Sequence, residues 1–165
     1  MSFSIHDACA PVLVRSLRNL SAILDKALAT GTDETVFLEA RLAPDMHLFP
    51  RQIQMASDAA KGAVARLAGV EVPSMPDTET TFAELKERLA KTIAFIEGVD
   101  AAKFEGAEDR EVVLKFPQGE MRFTGCDYLT GFVLPNFFFH ATMVYALLRA
   151  NSVPLGKMDF LGAGR

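Results

Sequence analysis

The sequence predicts an all-α protein, a four-helix bundle with one small β-hairpin inserted before the last helix. Three observations carry this. Long stretches repeat apolar residues at helical spacing; only Arg110 to Thr124 alternates in the strand manner; and Gly or Pro punctuates each junction. The 165 residues suit a single domain, 1–165, long enough to bury a core. With 50% hydrophobic and 23% charged residues, the chain is neither disordered nor fibrous.

In the first helix, Ser2 or Ser4 caps the start and Asp7 favours the opening turn. Val12, Val14, Leu17, Leu20, Ile23, Leu24 and Leu28 then recur at helical intervals, and Gly31 ends the run. Pro11 either starts this helix or kinks it. A short helical turn is expected over Asp33 to Ala40, capped by Thr32 or Asp33. The second long helix is expected to begin near Pro44 to Pro50 with Asp45 as its N-cap. Its stripe of Ile53, Ala56, Ala60, Val64 and Leu67 is rich in small residues, and Gly69 closes it.

Pro73 and Pro76 mark a loop, after which Thr81 to Glu84 forms a capping-box pattern. Phe82, Leu85, Leu89, Ile93 and Ile96 line one face of the third helix, ending at Gly98. Lys86, Glu87, Arg88 and Lys91 read as its solvated side. Asp100 to Asp109 reads as a linker. Val112, Leu114 and Phe116 share one side of the first strand, Pro117 to Gly119 turns the chain, and Glu120 to Thr124 forms the second strand. The final helix runs from about Gly125 to Ala150, with Asp127 in its first turn and a kink expected at Pro135. The tail, 152–165, carries enough apolar residues to pack down.

The formal charge is −4, without a basic block, so nucleic-acid binding has no electrostatic footprint. Cys9 and Cys126 lie far apart with no CxxC, and both are expected as buried free thiols in a reducing compartment. The N-terminus lacks the pattern of a secretory signal. The final helix is long enough to span a bilayer, but Pro135, Asn136 and His140 cost free energy in lipid. A soluble cytoplasmic protein without membrane partners is therefore expected.

Chemistry centres on the final helix. Asn136 and His140 are four residues apart in its most apolar stretch, on one face. A buried imidazole needs a partner. Either Asn136 supplies it, as a buried Asn–His hydrogen bond, or the two groups are aimed into the bundle to bind something. Two imidazoles one turn apart make a good metal pair, but here the pattern is NxxxH, and a neutral amide is a poor ligand for zinc, nickel or iron. His47 reaches the same cavity only if Pro50 resets the helix phase. Tyr128 and Tyr145 are available hydroxyls, and Tyr145 is a further ligand-binding candidate. His6 reads as a surface residue. Catalytic fingerprints such as GxSxG, the P-loop or the Rossmann glycines do not occur.

The segments APDM, RQIQMASDAAKGAVARLAG, TFAELKERLAKTIAFI, LPNFFFHATMVYALLR and VPLGKMDFLG resemble the DinB/YfiT-like superfamily, in particular a bacterial branch catalogued as a domain of unknown function. The resemblance implies a DinB-like four-helix bundle whose relatives hold a divalent metal with one histidine from the second helix and an HxxxH pair from the fourth. Some are transferases or isomerases that use small thiols. By position, His140 matches the second histidine of the pair, Asn136 replaces the first, and His47 lies near the second-helix ligand. Three functions follow as expectations. The first is a degenerate metal site binding a small ligand through Asn136, His140 and Tyr145. The second is a working enzyme holding zinc, nickel or iron with His47, Asn136 and His140. The third is a homodimeric interaction module.

Overall fold

The computed structural model describes residues 3–162; Ser2 and the last residues of the tail lie outside the described residues. α1 (Ile5–Leu28) is capped by Ser4, whose hydroxyl accepts from the Asp7 N–H while Asp7 returns the bond. Pro11 lies on the exposed side of a helix that runs through it, so α1 does not start there. α2 (Glu34–Leu38), capped by Asp33, is a single short turn. α3 (Phe49–Ala68) ends at Gly69 in the left-handed conformation, φ 66°. α4 (Phe82–Gly98) opens on the expected Thr81–Glu84 capping box.

Asp45 does not cap α3. Leu48 holds that position without a side-chain bond, and Pro50 lies in the first turn. The physical reason is that few donors are left over. Pro50 has none, and the Phe49 N–H reaches back to the Ala40 carbonyl at 2.9 Å.

The segment read as a linker is folded. A 3₁₀ turn (Ala101–Phe104) buries Phe104, and Ala107 is sealed. β1 (Val112–Phe116) and β2 (Gly119–Phe123) pair antiparallel with Leu114 opposite Met121. Val112 and Leu114 face inward, whereas Phe116, expected on the same side, is left largely exposed at the tip. Gly125 then begins the last rod. Its backbone passes so close to the Ala107 carbonyl that an added Cβ would lie 1.7 Å from the oxygen.

The rod Gly125–Ala150 has three parts: α5 (Gly125–Asp127), a π turn (Tyr128–Val133) and α6 (Leu134–Ala150). Instead of the plain kink expected at Pro135, the helix widens just before it. The Leu134 N–H reaches five residues back to Leu129, while Pro135 has no donor to offer Gly131. The rod is apolar and long enough to cross a bilayer by length and composition; in the fold it packs along α3. α3 is the central helix, flanked by α6 and α4, with α1 closing the bundle against both. The tail packs down through Val153 and Leu155 and ends in α7 (Lys157–Leu161) on α1.

Cys9 is sealed in the core, and burial pushes its thiol up to about 12. Cys126, expected buried, is exposed, because it opens α5 on the side facing solvent.

Candidate functional site

His140 is buried on α6, and its partner is Gln52 of α3, not Asn136. Nδ1 lies 2.8 Å from Gln52 Oε1. Gln52 in turn donates through Nε2 to the His47 carbonyl at 3.4 Å, which turns its oxygen toward the imidazole. Nδ1 must therefore carry the proton and donate, leaving the Nε2 lone pair free. Nε2 has no partner among the described residues, yet no described buried polar atom is left unpaired, so this nitrogen is not sealed from solvent. Burial lowers the affinity of His140 for a second proton, and the neighbouring His47 and Arg51 lower it further. His47 itself is exposed at the mouth of α3.

Asn136, one turn before His140, is half-buried and makes no hydrogen bond among the described residues. Its side chain lines a groove of about 540 Å³ between α3, β1 and the π turn, shared with Arg51, Arg66 and Tyr128. Tyr145 is not part of this groove. It lies nine residues beyond Asn136, roughly 180° around the helix, and packs edge-on against Phe160 of α7 with centroids 5.9 Å apart. The structure thus keeps Asn136 and His140 on neighbouring aspects of α6, with His47 close enough to act on His140 electrostatically, and puts Tyr145 elsewhere.

Arg66 donates to the Tyr128 hydroxyl at 3.2 Å. Burial raises the Tyr128 phenol, and Arg66 partly offsets this. Neither Gln52, Arg51 nor Arg66 was singled out as a site residue from sequence. Gln52 did carry a signal: it is three residues after Phe49 and four before Ala56, a polar residue in the buried phase.

The second polar cluster lies on the opposite flank of α3. Arg88, expected in solvent, is 2% exposed. It donates to Ser57 Oγ (3.2 Å), Asp58 (2.7 Å), Glu79 (3.0 Å) and the Pro76 carbonyl (3.1 Å). Asp77 completes the cage at 3.0 Å. Lys61 binds Asp58 and the Pro73 carbonyl, at 3.0 and 2.8 Å. Burial alone would weaken the guanidinium's hold on its proton, but the surrounding carboxylates more than compensate and raise it. This cluster ties the 70–80 loop down across α3 and α4. Its groups partner one another, which leaves little for a ligand.

Among the described residues no group of three or more His, Cys, Asp or Glu side chains converges. The donors that remain near His140 are one open imidazole nitrogen, one exposed imidazole and one neutral amide, with a guanidinium beside them. Two imidazoles and a neutral amide are a weaker set for zinc, nickel or iron than three imidazoles.

A family described as Domain of unknown function (DUF1993) matches residues 5–161. Among solved structures, a DinB family member from Shewanella denitrificans is 39% identical, with 96% of this chain and 92% of that chain covered and a TM-score of 0.88. No curated protein matches. The chain belongs to the DUF1993 family, DinB-like helical bundles catalogued as domains of unknown function.

Proposed function

We propose that this domain has a degenerate metal site and binds a small molecule beside Asn136 and His140. The observation that supports this most is the contact of His140 Nδ1 with Gln52 Oε1 at 2.8 Å, which fixes the ring and leaves Nε2 without a partner among the described residues. Asn136 stands where the resemblance places a second imidazole. Gln52 still orients His140 in the way an outer-shell partner orients a metal-binding histidine. The ring is held and its Nε2 left open, which suits a hydrogen bond to a neutral or anionic ligand.

A metal-dependent transferase or isomerase using His47, Asn136 and His140 is the second reading. The electrostatic proximity of His47 and His140 favours it. Metal analysis of protein purified without chelator separates the two. The first reading expects far less than one zinc, nickel or iron per chain, even after supplementation. Stoichiometric metal that disappears in His140→Ala would establish the second. Asn136→His is expected to raise metal affinity by restoring the imidazole pair.

A further inference from the structure

The groove beside Asn136 holds an imbalance that the fold does not use. Three of its lining side chains are cationic, Arg51, Arg66 and Lys115, and one is acidic, Asp58. Asp58 is committed to Arg88 and Lys61 on the far flank of α3. Arg51 is committed to Asp77 and Gln54. Lys115 lies at the exposed rim, across the hairpin from Glu120. Arg66 alone is half-buried and has no acid. Its one hydrogen bond among the described residues goes to the neutral Tyr128 hydroxyl, which leaves most of the five guanidinium donors free. The Asn136 amide in the same groove is also unpartnered.

Most of the remaining lining is apolar, including Met55, Leu114, Phe116, Phe132 and Val133. At about 540 Å³ the groove is within the size range of small-molecule sites, ~300–1,000 Å³.

We propose that this groove binds a small monocarboxylate with an apolar body, its carboxylate on Arg66 and Asn136 and its hydrocarbon against the hairpin and the π turn. The charge count selects the class. One uncommitted guanidinium matches one negative charge, and a planar carboxylate fits its fork. The inference rests on the reading of this domain as a small-ligand binder and names the ligand class.

Gly62 makes the idea testable without replacing any residue that contacts the ligand. Arg66 folds back over Gly62 one turn earlier on α3. A Cβ at 62 would lie 2.4 Å from Arg66 Nη1, and within 4 Å it would meet Arg66 atoms alone. Gly62→Ala therefore displaces the guanidinium while favouring the helix.

The test is calorimetric titration of the full chain with octanoate and with octanamide as the uncharged match, repeated on Gly62→Ala and Arg66→Met. The inference expects octanoate to bind at least about tenfold more tightly than octanamide, and both variants to lose about that factor, with thermal unfolding of Gly62→Ala undiminished. Amide-resolved NMR should place the octanoate shifts on Asn136 and the π turn. Equal binding of octanoate and octanamide would overturn the carboxylate assignment while leaving the small-ligand reading intact. Octanoate affinity unchanged in both variants would remove Arg66 from the site. Failure of both probes to bind would overturn this inference, whereas stoichiometric metal lost with His140 would instead overturn the proposed function.

Discussion

On one flank of α3, Ser57 and Asp58 meet Arg88, with Lys61 on Asp58; on the other, Gln52 meets His140. Both clusters bury polar atoms between helices, yet they are built differently. Around Arg88, charge is answered by charge. Three carboxylates, two further cations and two backbone carbonyls partner one another, and the Ser57 and Thr92 hydroxyls join at 2.7 Å. Among the described residues no carboxylate bonds to His140, and Arg51 lies at the edge. One neutral hydrogen bond orients the ring, and the next polar group, Asn136, faces a groove. The first arrangement holds a loop, and there is little free donor or acceptor capacity left in it. The second leaves a lone pair and an amide available. Buried polarity by itself does not mark a site; unspent hydrogen-bonding capacity does.

The largest difference between the two flanks should appear in stability. Arg88→Met removes the cation shared by Asp58, Asp77 and Glu79 and leaves them, among the described residues, only Lys61, Arg51 and Gln54. Breaking a buried ion network costs about 3–5 kcal/mol, and the lower end is expected here because Asp58 and Asp77 are partly open to water. Denaturant unfolding measures this, and a loss near zero would mean the cage is ornamental. On the other flank, Gln52→Leu leaves the Nδ1 proton of His140 without an acceptor and should cost about 1–3 kcal/mol. Asn136→Ala breaks no bond and should stay within about 0.5 kcal/mol, while weakening octanoate. If Asn136→Ala destabilised as much as Gln52→Leu, Asn136 would belong to the scaffold and the contrast would fail.

These expectations also show what periodicity could and could not deliver. The long helices, the hairpin and the Thr81 capping box were legible because apolar spacing and cap chemistry are local signals. Arg88 was misread as surface because it sits in a run of charges, although its phase, three after Leu85 and four before Thr92, is that of the buried face. Gln52 carried the same kind of signal. The pairing of Gln52 with His140 depends on how α3 and α6 are juxtaposed, which sequence spacing does not contain. The groove was not legible either, because it needs the hairpin docked on α3 and a π turn that widens the rod ahead of Pro135. The NxxxH pattern drew attention to α6 but suggested the wrong partner for the imidazole, which is Gln52.

A smaller effect concerns pH. The native fold lowers the proton affinity of His140, so the unfolded chain, protonating near the ordinary value of about 6.5, takes up its proton first as pH falls. The contribution of the neutral ring is thus fully present above about 6.5 and erodes as pH drops through that value toward the native one. His140→Leu, whatever its absolute stability, should show a shallower loss of melting temperature between neutral and mildly acidic pH. An equally steep loss would assign the acid sensitivity to other groups.

Nitrogen-resolved NMR of the His140 ring at neutral pH, with and without equimolar zinc, tests the central claim most directly. The account expects a neutral imidazole protonated on Nδ1, with an Nε2 resonance that zinc leaves in place. A ring protonated on Nε2, or an Nε2 signal that moves stoichiometrically with zinc, would contradict it.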